Sequence, residues 1–224
     1  MNTELLCLNN TYNYTCNAKI IDVGTLEESN FLVMDQTVFY PQGGGQPSDI
    51  GTIATKDGRI FTVRKCQIID NVCYHFGSWE NEIAKIDDEV SVQINEQKRK
   101  LHARLHTAGH VIDLALSDLG YVLNPTKGYH FENGPYVEYE ENLPQDPELK
   151  EKLEQTLEKI VAKDAKTSFK IVEGQHNNGK PMRIMSIEGY PDCGCGGTHV
   201  EHLDQIGKIN IRKVKGNRVA YEVV

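Results

Sequence analysis

Residues 96–119 read EQKRKLHARLHTAGHVIDLALSDL, and the spacing of their apolar residues predicts an amphipathic helix. The apolar stripe consists of Leu101, Leu105, Ala108, Ile112, Ala115, Leu116 and Leu119. Asn95 suits the N-cap position, and Gly120 suits the C′ position that ends a helix. This helix divides the chain into two parts, because the secondary structure predicted before it differs from that predicted after it.

The first ninety or so residues are expected to form strands. Short alternating or apolar stretches alternate with turn clusters: FLVMDQTVFY, RIFTVRKCQII, VCYHF and VSVQI. A glycine-rich stretch, YPQGGGQPSDIG, lies between the first two. Its glycines, Gly43, Gly44 and Gly45, lack the Lys-Ser/Thr that follows in a phosphate-binding loop, so a flexible turn is one interpretation.

The part of the chain after the first helix is expected to be α+β. A second helix is predicted from Asp146–Pro147 through ELKEKLEQTLEKIVAKDA. Four strands are predicted after it: SFKIVE, PMRIMSIE, IGKINIRKV and NRVAYEVV. A KGN turn joins the last two into a hairpin. We therefore expect helices packed on a mainly antiparallel sheet.

Composition is that of an ordinary globular chain of 224 residues, with no apolar run long enough for a membrane span. No signal peptide is visible at the N-terminus, so the six cysteines indicate a reducing cytoplasm in which thiols stay free or bind metal. A net charge of −8 argues mildly against a nucleic-acid partner, although the charges that face the ligand matter more.

Two short motifs indicate a metal site. LHARLHTAGH places His102, His106 and His110 at successive i, i+4 spacings, where two imidazoles can bind one ion. Taken alone, this row is more often the polar edge of a helix. Cys195 and His199 are separated by GGT, which allows a tight turn, although a glycine-rich turn with a buried thiol is the alternative. Together the motifs supply the nitrogen and sulfur ligands that zinc prefers.

The two motifs also carry a family resemblance. RLHTAGHVI and CGGTHV resemble the signature motifs of the alanyl-tRNA synthetase editing domain and of its free-standing relatives, the AlaX proteins. FYPQGGGQPSDIG is similar to the glycine-rich motif of the preceding domain, and KGNRVAYEVV to the family's final hairpin. The resemblance implies an α+β chain of the medium-sized AlaX type. We expect a small N-terminal β-barrel-like domain at residues 1–92, which carries the glycine-rich motif, and a zinc-containing editing core at residues 93–224.

The resemblance assigns one Zn²⁺ to His106, His110, Cys195 and His199, and leaves His102, Cys193 and His202 outside the matched positions. It implies a deacylase that acts in trans on alanine tRNA mischarged with serine and, in this size class, with glycine. A synthetase pocket built for alanine rejects neither analogue strongly, so a second site is needed. Zinc would hold the substrate or lower the pKa of a bound water on the same ligands.

Further roles are expected for residues near these motifs, and the resemblance implies that of Gln46 and Asp49. Thr107 and Gly109 are expected to shape the pocket, where Gly109 either leaves space for the aminoacyl group or allows close helix–strand packing. Gln46 and Asp49 are expected to help dock the β domain. Two basic runs are candidates for tRNA binding, with a solvated face as the alternative: Lys98, Arg99, Lys100 and Arg104, and Lys208, Arg212, Lys213, Lys215 and Arg218.

Two rival functions stay open on the sequence. Four protein ligands are typical of structural zinc, so a non-catalytic tRNA-binding module is one. The other is an editing module of the threonyl-tRNA synthetase type, against which CGGTHV and the glycine-rich motif argue.

Overall fold

A computed structural model describes residues 2–80, 82–177 and 180–224. By its internal contacts the chain divides into two compact units. The first contains Met1–Gly43 and Pro47–Lys100, and the second contains Gly44–Gln46 and Leu101–Val224. The domain boundary that we propose from the sequence, after residue 92, precedes this division by eight residues. Among the described helices, none is long and apolar enough to cross a membrane.

The first unit is built on a closed barrel in which six strands follow the order β2-β3-β7-β6-β5-β8. A separate pair, β1 with β4, is parallel. A short 3-10 helix covers Leu6–Leu8. The strands are β1 Glu4–Leu5, β2 Thr15–Leu26, β3 Ser29–Met34, β4 Gln36–Thr37, β5 Gly51–Thr55, β6 Ile60–Ile69, β7 Val72–Trp79 and β8 Glu89–Ile94.

Alternation explains the interior of the barrel. In β8 the residues Val90, Val92 and Ile94 are buried, while the residues between them are exposed. The sequence did not predict β2 or β5. Strand β2 reads TCNAKIIDVGTL and shows clear alternation only in part, and β5 has five residues.

The second unit contains two helices and seven strands among its described residues, which confirms the predicted α+β class. A second 3-10 helix covers Leu203–Ile206. The strands form a four-stranded sheet, β14-β15-β10-β9, and a three-stranded sheet, β11-β12-β13. The elements are α1 Glu96–Asp118, of which the residues from Leu101 onward belong to this unit, β9 Pro125–Tyr129, β10 Tyr136–Tyr139, α2 Leu149–Val161, β11 Thr167–Asn177, β12 Lys180–Ile187, β13 Cys193–Gly194, β14 Ile209–Lys215 and β15 Arg218–Val223.

The ends of α1 are those that the sequence predicts. The Asn95 side chain accepts a hydrogen bond from the Lys98 backbone N–H at 3.0 Å, as an N-cap residue does. Gly120 has a φ of +86°, and the bonds Gly120 N–H to Ser117 O and Tyr121 N–H to Leu116 O close a Schellman motif. α2 begins later than predicted, because the Asp146 carboxylate accepts from the Glu148 N–H within a turn that precedes the helix.

Both helices pack into one hydrophobic cluster with the same face of the four-stranded sheet. On that face lie Val137 and Tyr139 of β10 and Val219 and Tyr221 of β15, all buried. We call this the inner face of the sheet. The opposite side of the same strands is the outer face, and its residues are half-buried or exposed.

Candidate metal centre

Four side chains of the second unit converge in a way that could hold a metal ion. The ligand atoms of His106, His110, Cys195 and His199 all lie within 4.8 Å of one another. Two come from α1 and two from the segment after β13. These are the four residues that the family resemblance assigns to zinc.

The helical pair owes its geometry to the i, i+4 spacing. The rings of His106 and His110 are nearly parallel, with centroids 5.4 Å apart and an interplanar angle of 8°. His102, one turn earlier, is buried but lies 3.7 Å from the Glu132 carboxylate, outside the converging set. The same row of histidines therefore divides between two environments.

The CGGTH segment can approach the helix because of one glycine. A Cβ on Gly197 would lie about 2.1 Å from the His106 ring, a distance that no side chain can adopt. Cys195 Sγ then lies 3.5 Å from His106 Nε2 and 3.1 Å from His199 Nε2. Gly197 is thus a requirement of the site, whereas a Cβ on Gly196 would meet nothing.

The orientation of His106 is fixed by Gln46 of the glycine-rich motif. The Gln46 Oε1 accepts from His106 Nδ1 at 2.9 Å and from the Thr198 backbone N–H at 3.1 Å. Its Nε2 donates to Thr198 Oγ1 at 2.9 Å. The proton on His106 is therefore at Nδ1, which leaves the Nε2 lone pair directed at the cluster.

The orientation of His199 is fixed by Thr107. The Thr107 hydroxyl donates to Ala103 O at 2.7 Å, so it accepts from His199 Nδ1 at 3.2 Å and from the Val200 N–H at 3.2 Å. Thr107 is fully buried. Its hydroxyl has three partners, and its role here is to set the tautomer of a neighbouring imidazole.

His110 has the weakest support of the three imidazoles. Its Nδ1 lies 3.8 Å from the Cys193 sulfur. Its Nε2 is buried and has no hydrogen-bond partner among the described residues, a costly state for a polar atom. A metal ion would satisfy this nitrogen, so the donor set fits a metal. Cys193 contacts this ligand without belonging to the converging group.

Burial keeps the imidazoles neutral, which is the form that binds metal. It lowers the pKa of His110 to about 4, and it lowers the pKa of His106 and His199 well below the ordinary value, with neighbouring histidine charges adding to the effect. Burial also raises the pKa of the Cys195 thiol. Metal binding at this cysteine must therefore displace a proton.

A fifth histidine, His130, fills the space beside Gly109. A Cβ on Gly109 would lie 2.5 Å from His130 Cε1, so the glycine accommodates this ring, which favours close packing over an open space for substrate. The His130 ring stacks on His106 with centroids 4.4 Å apart, and its Nδ1 lies 2.7 Å from the Tyr221 hydroxyl. No sequence prediction covered His130, which directly follows the short strand β9.

Arg183 of β12 was also missed. Its guanidinium donates to the carbonyl oxygens of Cys195 and Gly197 at 3.0 and 2.7 Å, and it lies 3.7 Å from the centroid of the Phe169 ring. The Phe169 ring in turn contacts His199, with centroids 5.7 Å apart. Arg183 and Phe169 therefore support the segment that carries Cys195 and His199.

One member of the first basic run, Arg99, does not lie at the surface as expected. Arg99 is fully buried in the first unit, where it forms an ion pair with Asp49 and donates to Thr11 O and Val38 O. Asp49 also accepts from the Tyr40 N–H at 2.7 Å, so this member of the glycine-rich motif organises the first unit. We correct the expectation for Arg99: no part of it is available to a ligand.

The remaining basic residues differ in exposure. The Arg104 guanidinium donates to Ile206 O and Val224 O at 2.9 Å each, which ties it to the C-terminal segment. Lys98 is half-buried, whereas Lys100 and the whole second run are exposed. In the second run Lys208 directly precedes β14, Arg212, Lys213 and Lys215 lie on β14, and Arg218 lies on β15.

Comparison with known proteins first shows which class of protein this chain resembles. Residues 6–98 match the family model described as tRNA synthetases class II (A). Over 220 residues the chain is 31% identical to an alanine–tRNA ligase of Methanosphaera stadtmanae, which covers 90% of this chain and 24% of the ligase. An alanine–tRNA ligase of Methanococcus aeolicus is 32% identical over 237 residues, with 95% and 24% covered.

A smaller relative is an editing protein without the full length of a ligase. The alanyl-tRNA editing protein AlaX-L of Pyrococcus horikoshii is 28% identical over 209 residues, covering 87% of this chain and 50% of that protein. The chain thus spans about a quarter of the ligases and half of AlaX-L. The resemblance seen in the sequence is confirmed: over most of its length the chain is similar to an AlaX editing protein and to alanine–tRNA ligases.

Proposed function

We propose that this protein hydrolyses the ester bond of alanine tRNA that carries the wrong amino acid, serine and also glycine, and that it uses one Zn²⁺ to do so. The observation that carries the proposal is the convergence of His106, His110, Cys195 and His199 in a chain related to an alanyl-tRNA editing protein. Alanine tRNA is the proposed partner.

Zinc is the proposed metal because three imidazole nitrogens and one thiolate are its preferred ligands. When bound, Zn²⁺ would supply a Lewis acid that polarises a carbonyl or lowers the pKa of water. The chain's own contribution is orientation. Gln46 and Thr107 hold the protons of two imidazoles on the nitrogens that face away from the cluster, and Arg183 holds the backbone between Cys195 and Gly197.

Selectivity for serine requires a polar contact with its hydroxyl. A site that engages this group disfavours alanine, because its own buried groups then go unpaired. The Thr107 hydroxyl already donates once and accepts twice within the protein, so the serine hydroxyl needs a different partner. Action on glycine must rest on size, since glycine has no hydroxyl. A pocket that admits hydrogen but clashes with a methyl would meet that need.

The test is release of amino acid from alanine tRNA charged separately with serine, glycine or alanine. We expect fast hydrolysis of the seryl and glycyl forms and sparing of the alanyl form. Equal hydrolysis of seryl- and alanyl-tRNA would refute the editing role. No hydrolysis by a metal-loaded protein that still binds tRNA would leave a binding module with structural zinc.

A second experiment tests the proposed zinc ligands by measuring metal content. Elemental analysis should find about one zinc per chain in the parent protein. The double variant Cys195→Ala, His199→Ala should lose this zinc. Cys16→Ala is the matched control, because it removes a half-buried thiol from the first unit. Undiminished zinc in the double variant would promote Cys193 or His202 as ligands.

The exposed second basic run is the proposed contact for the tRNA backbone. Neutralising Arg212, Lys213 and Lys215 should weaken tRNA binding and reduce the slope of log affinity against log salt by about 2 to 3, because fewer counterions are released. Lys56, Lys65 and Lys85 are exposed residues of the first unit and give a control with the same change of charge. An unchanged slope in the first triple variant would mean that this face is merely solvated.

A further inference from the structure

The outer face of the four-stranded sheet carries a row of stacked aromatic rings. Tyr129 of β9 and Tyr136 of β10 are register partners, and their rings stack with centroids 5.2 Å apart at 15°. Phe131 continues the stack beyond Tyr129, at 4.5 Å and 18°. At the other end the Arg218 guanidinium lies 4.2 Å from the Tyr136 ring centroid. The result is a stack of three rings ending in a planar cation.

The same face carries a surplus of positive charge. The Lys127 ammonium lies 6.0 Å from the Tyr136 centroid. Strand register adds two lysines to this side, because Lys213 pairs with Ala220 and Lys215 pairs with Arg218. The acidic residues of the face are Glu138, which pairs with Arg218, and Glu222, which contacts Asn210. Four cations therefore face two carboxylates, on a chain whose net charge is −8.

We propose that this outer face binds unpaired nucleotides of an RNA. Cross-strand aromatic pairs by themselves would be explained by stabilisation of the sheet. They do not explain why four cations share one face of the sheet with the rings in an acidic protein. Aromatic planes that stack bases, together with cations that track the backbone, are the combination that single-stranded nucleic acid requires. Bases paired in a duplex are already stacked on their neighbours and could not extend this row of rings.

The ring stack and the metal centre are connected through the segment that carries Tyr129, His130 and Phe131. Strand β9 is at the edge of the sheet, and the chain alternates there. Tyr129 and Phe131 lie on the outer face, while His130 between them is on the inner face and stacks on His106. An RNA strand held on these rings thus lies on the opposite side of the sheet from His130, the residue that contacts His106. The inference deepens the proposed function, yet binding can be measured without hydrolysis.

The test uses an uncharged 12-nucleotide single-stranded RNA that contains 2-aminopurine, whose fluorescence falls when the base stacks on an aromatic ring. The parent should bind it and quench it, and should bind the corresponding blunt duplex more weakly. Phe131 is the ring at the end of the stack opposite Arg218, where a base can extend the row. Phe131→Leu should weaken binding of the single strand about tenfold and relieve the quenching, with the salt slope unchanged. Phe131→Tyr keeps the ring and should restore both.

Two controls separate binding from folding. Tyr74→Leu removes a comparable half-buried ring in the first unit, where Tyr74 contacts Phe31 and Phe76, and it should leave RNA affinity unchanged. Lys127→Gln should reduce the salt slope by about 0.7, whereas Lys163→Gln, which removes another lysine that lies over a tyrosine ring, should not.

The outcomes are distinct from those of the editing assay. Parental affinity and quenching in Phe131→Leu, accompanied only by a lower melting temperature, would overturn the inference and leave the rings as sheet stabilisers. Retained binding and quenching by a parent that hydrolyses no seryl-tRNA would refute the proposed function while supporting this surface.

Discussion

The hydrogen bonds of Gln46 predict a separable effect on metal affinity. In Gln46→Leu two buried donors, His106 Nδ1–H and the Thr198 N–H, lose their acceptor. At about 1–3 kcal/mol for each unsatisfied donor, the free energy of unfolding should fall by about 2–6 kcal/mol. Metal affinity should fall about 10- to 100-fold, because the partner that fixes a ligand's tautomer is gone.

The matched variant is Gln46→Glu. A glutamate keeps an acceptor for both donors, and the Thr198 hydroxyl can reverse its role and donate to the second carboxylate oxygen. We therefore expect Gln46→Glu to retain metal affinity within a few-fold of the parent.

The assay is titration of the metal-free protein with Co²⁺, in which thiolate-to-metal absorption reports binding at Cys195. Equal Co²⁺ affinity in Gln46→Leu and the parent would refute the argument that this hydrogen bond orients His106. A loss of affinity in both variants would indicate that the neutral amide and its Nε2 donor to Thr198 matter, and not the acceptor alone.

Four further predictions follow. Gly109→Val should displace His130 and lower hydrolysis with zinc content unchanged in elemental analysis; loss of zinc would show that the valine disturbs the ligands instead. His110→Ala should weaken Co²⁺ binding less than His106→Ala or His199→Ala, in the same titration. Burial raises the pKa of Asp113 to about 7, so the folded state holds a proton that the unfolded state releases, and the free energy of unfolding falls as pH rises toward 7. The variant Asp113→Asn still accepts from the Tyr139 hydroxyl, and it should raise the melting temperature more at pH 8 than at pH 5. Arg99→Met should cost about 3–5 kcal/mol in urea unfolding, because Asp49 stays buried without its partner, and it should leave the salt slope of tRNA binding unchanged.

The sequence predicted those features that depend on local spacing. Helix α1, its caps and the histidine pair follow from periodicity and from residues within one turn of each other. Strand β2 was missed because its alternation is interrupted, as was β9, which reads PTKGY and has no buried residue in its span. The roles of Gln46 and Arg99 depend on partners 152 and 50 residues away, which no local pattern specifies. The wrong expectation for Arg99 shows this. A run rich in lysine and arginine suggests a solvated face, and only the fold reveals that the Asp49 carboxylate is buried beside Arg99.

The unequal support of the histidines bears on how a four-ligand site could be hydrolytic. Catalytic zinc keeps a position for water or substrate, whereas four protein ligands close the coordination sphere. His106 and His199 are each held by a hydrogen bond from Nδ1 to an oxygen whose own partners are fixed. His110 has only a sulfur at 3.8 Å beside its Nδ1, and its side chain is not fully buried. Releasing His110 would break the fewest hydrogen bonds, so it is the ligand whose departure would cost the protein least.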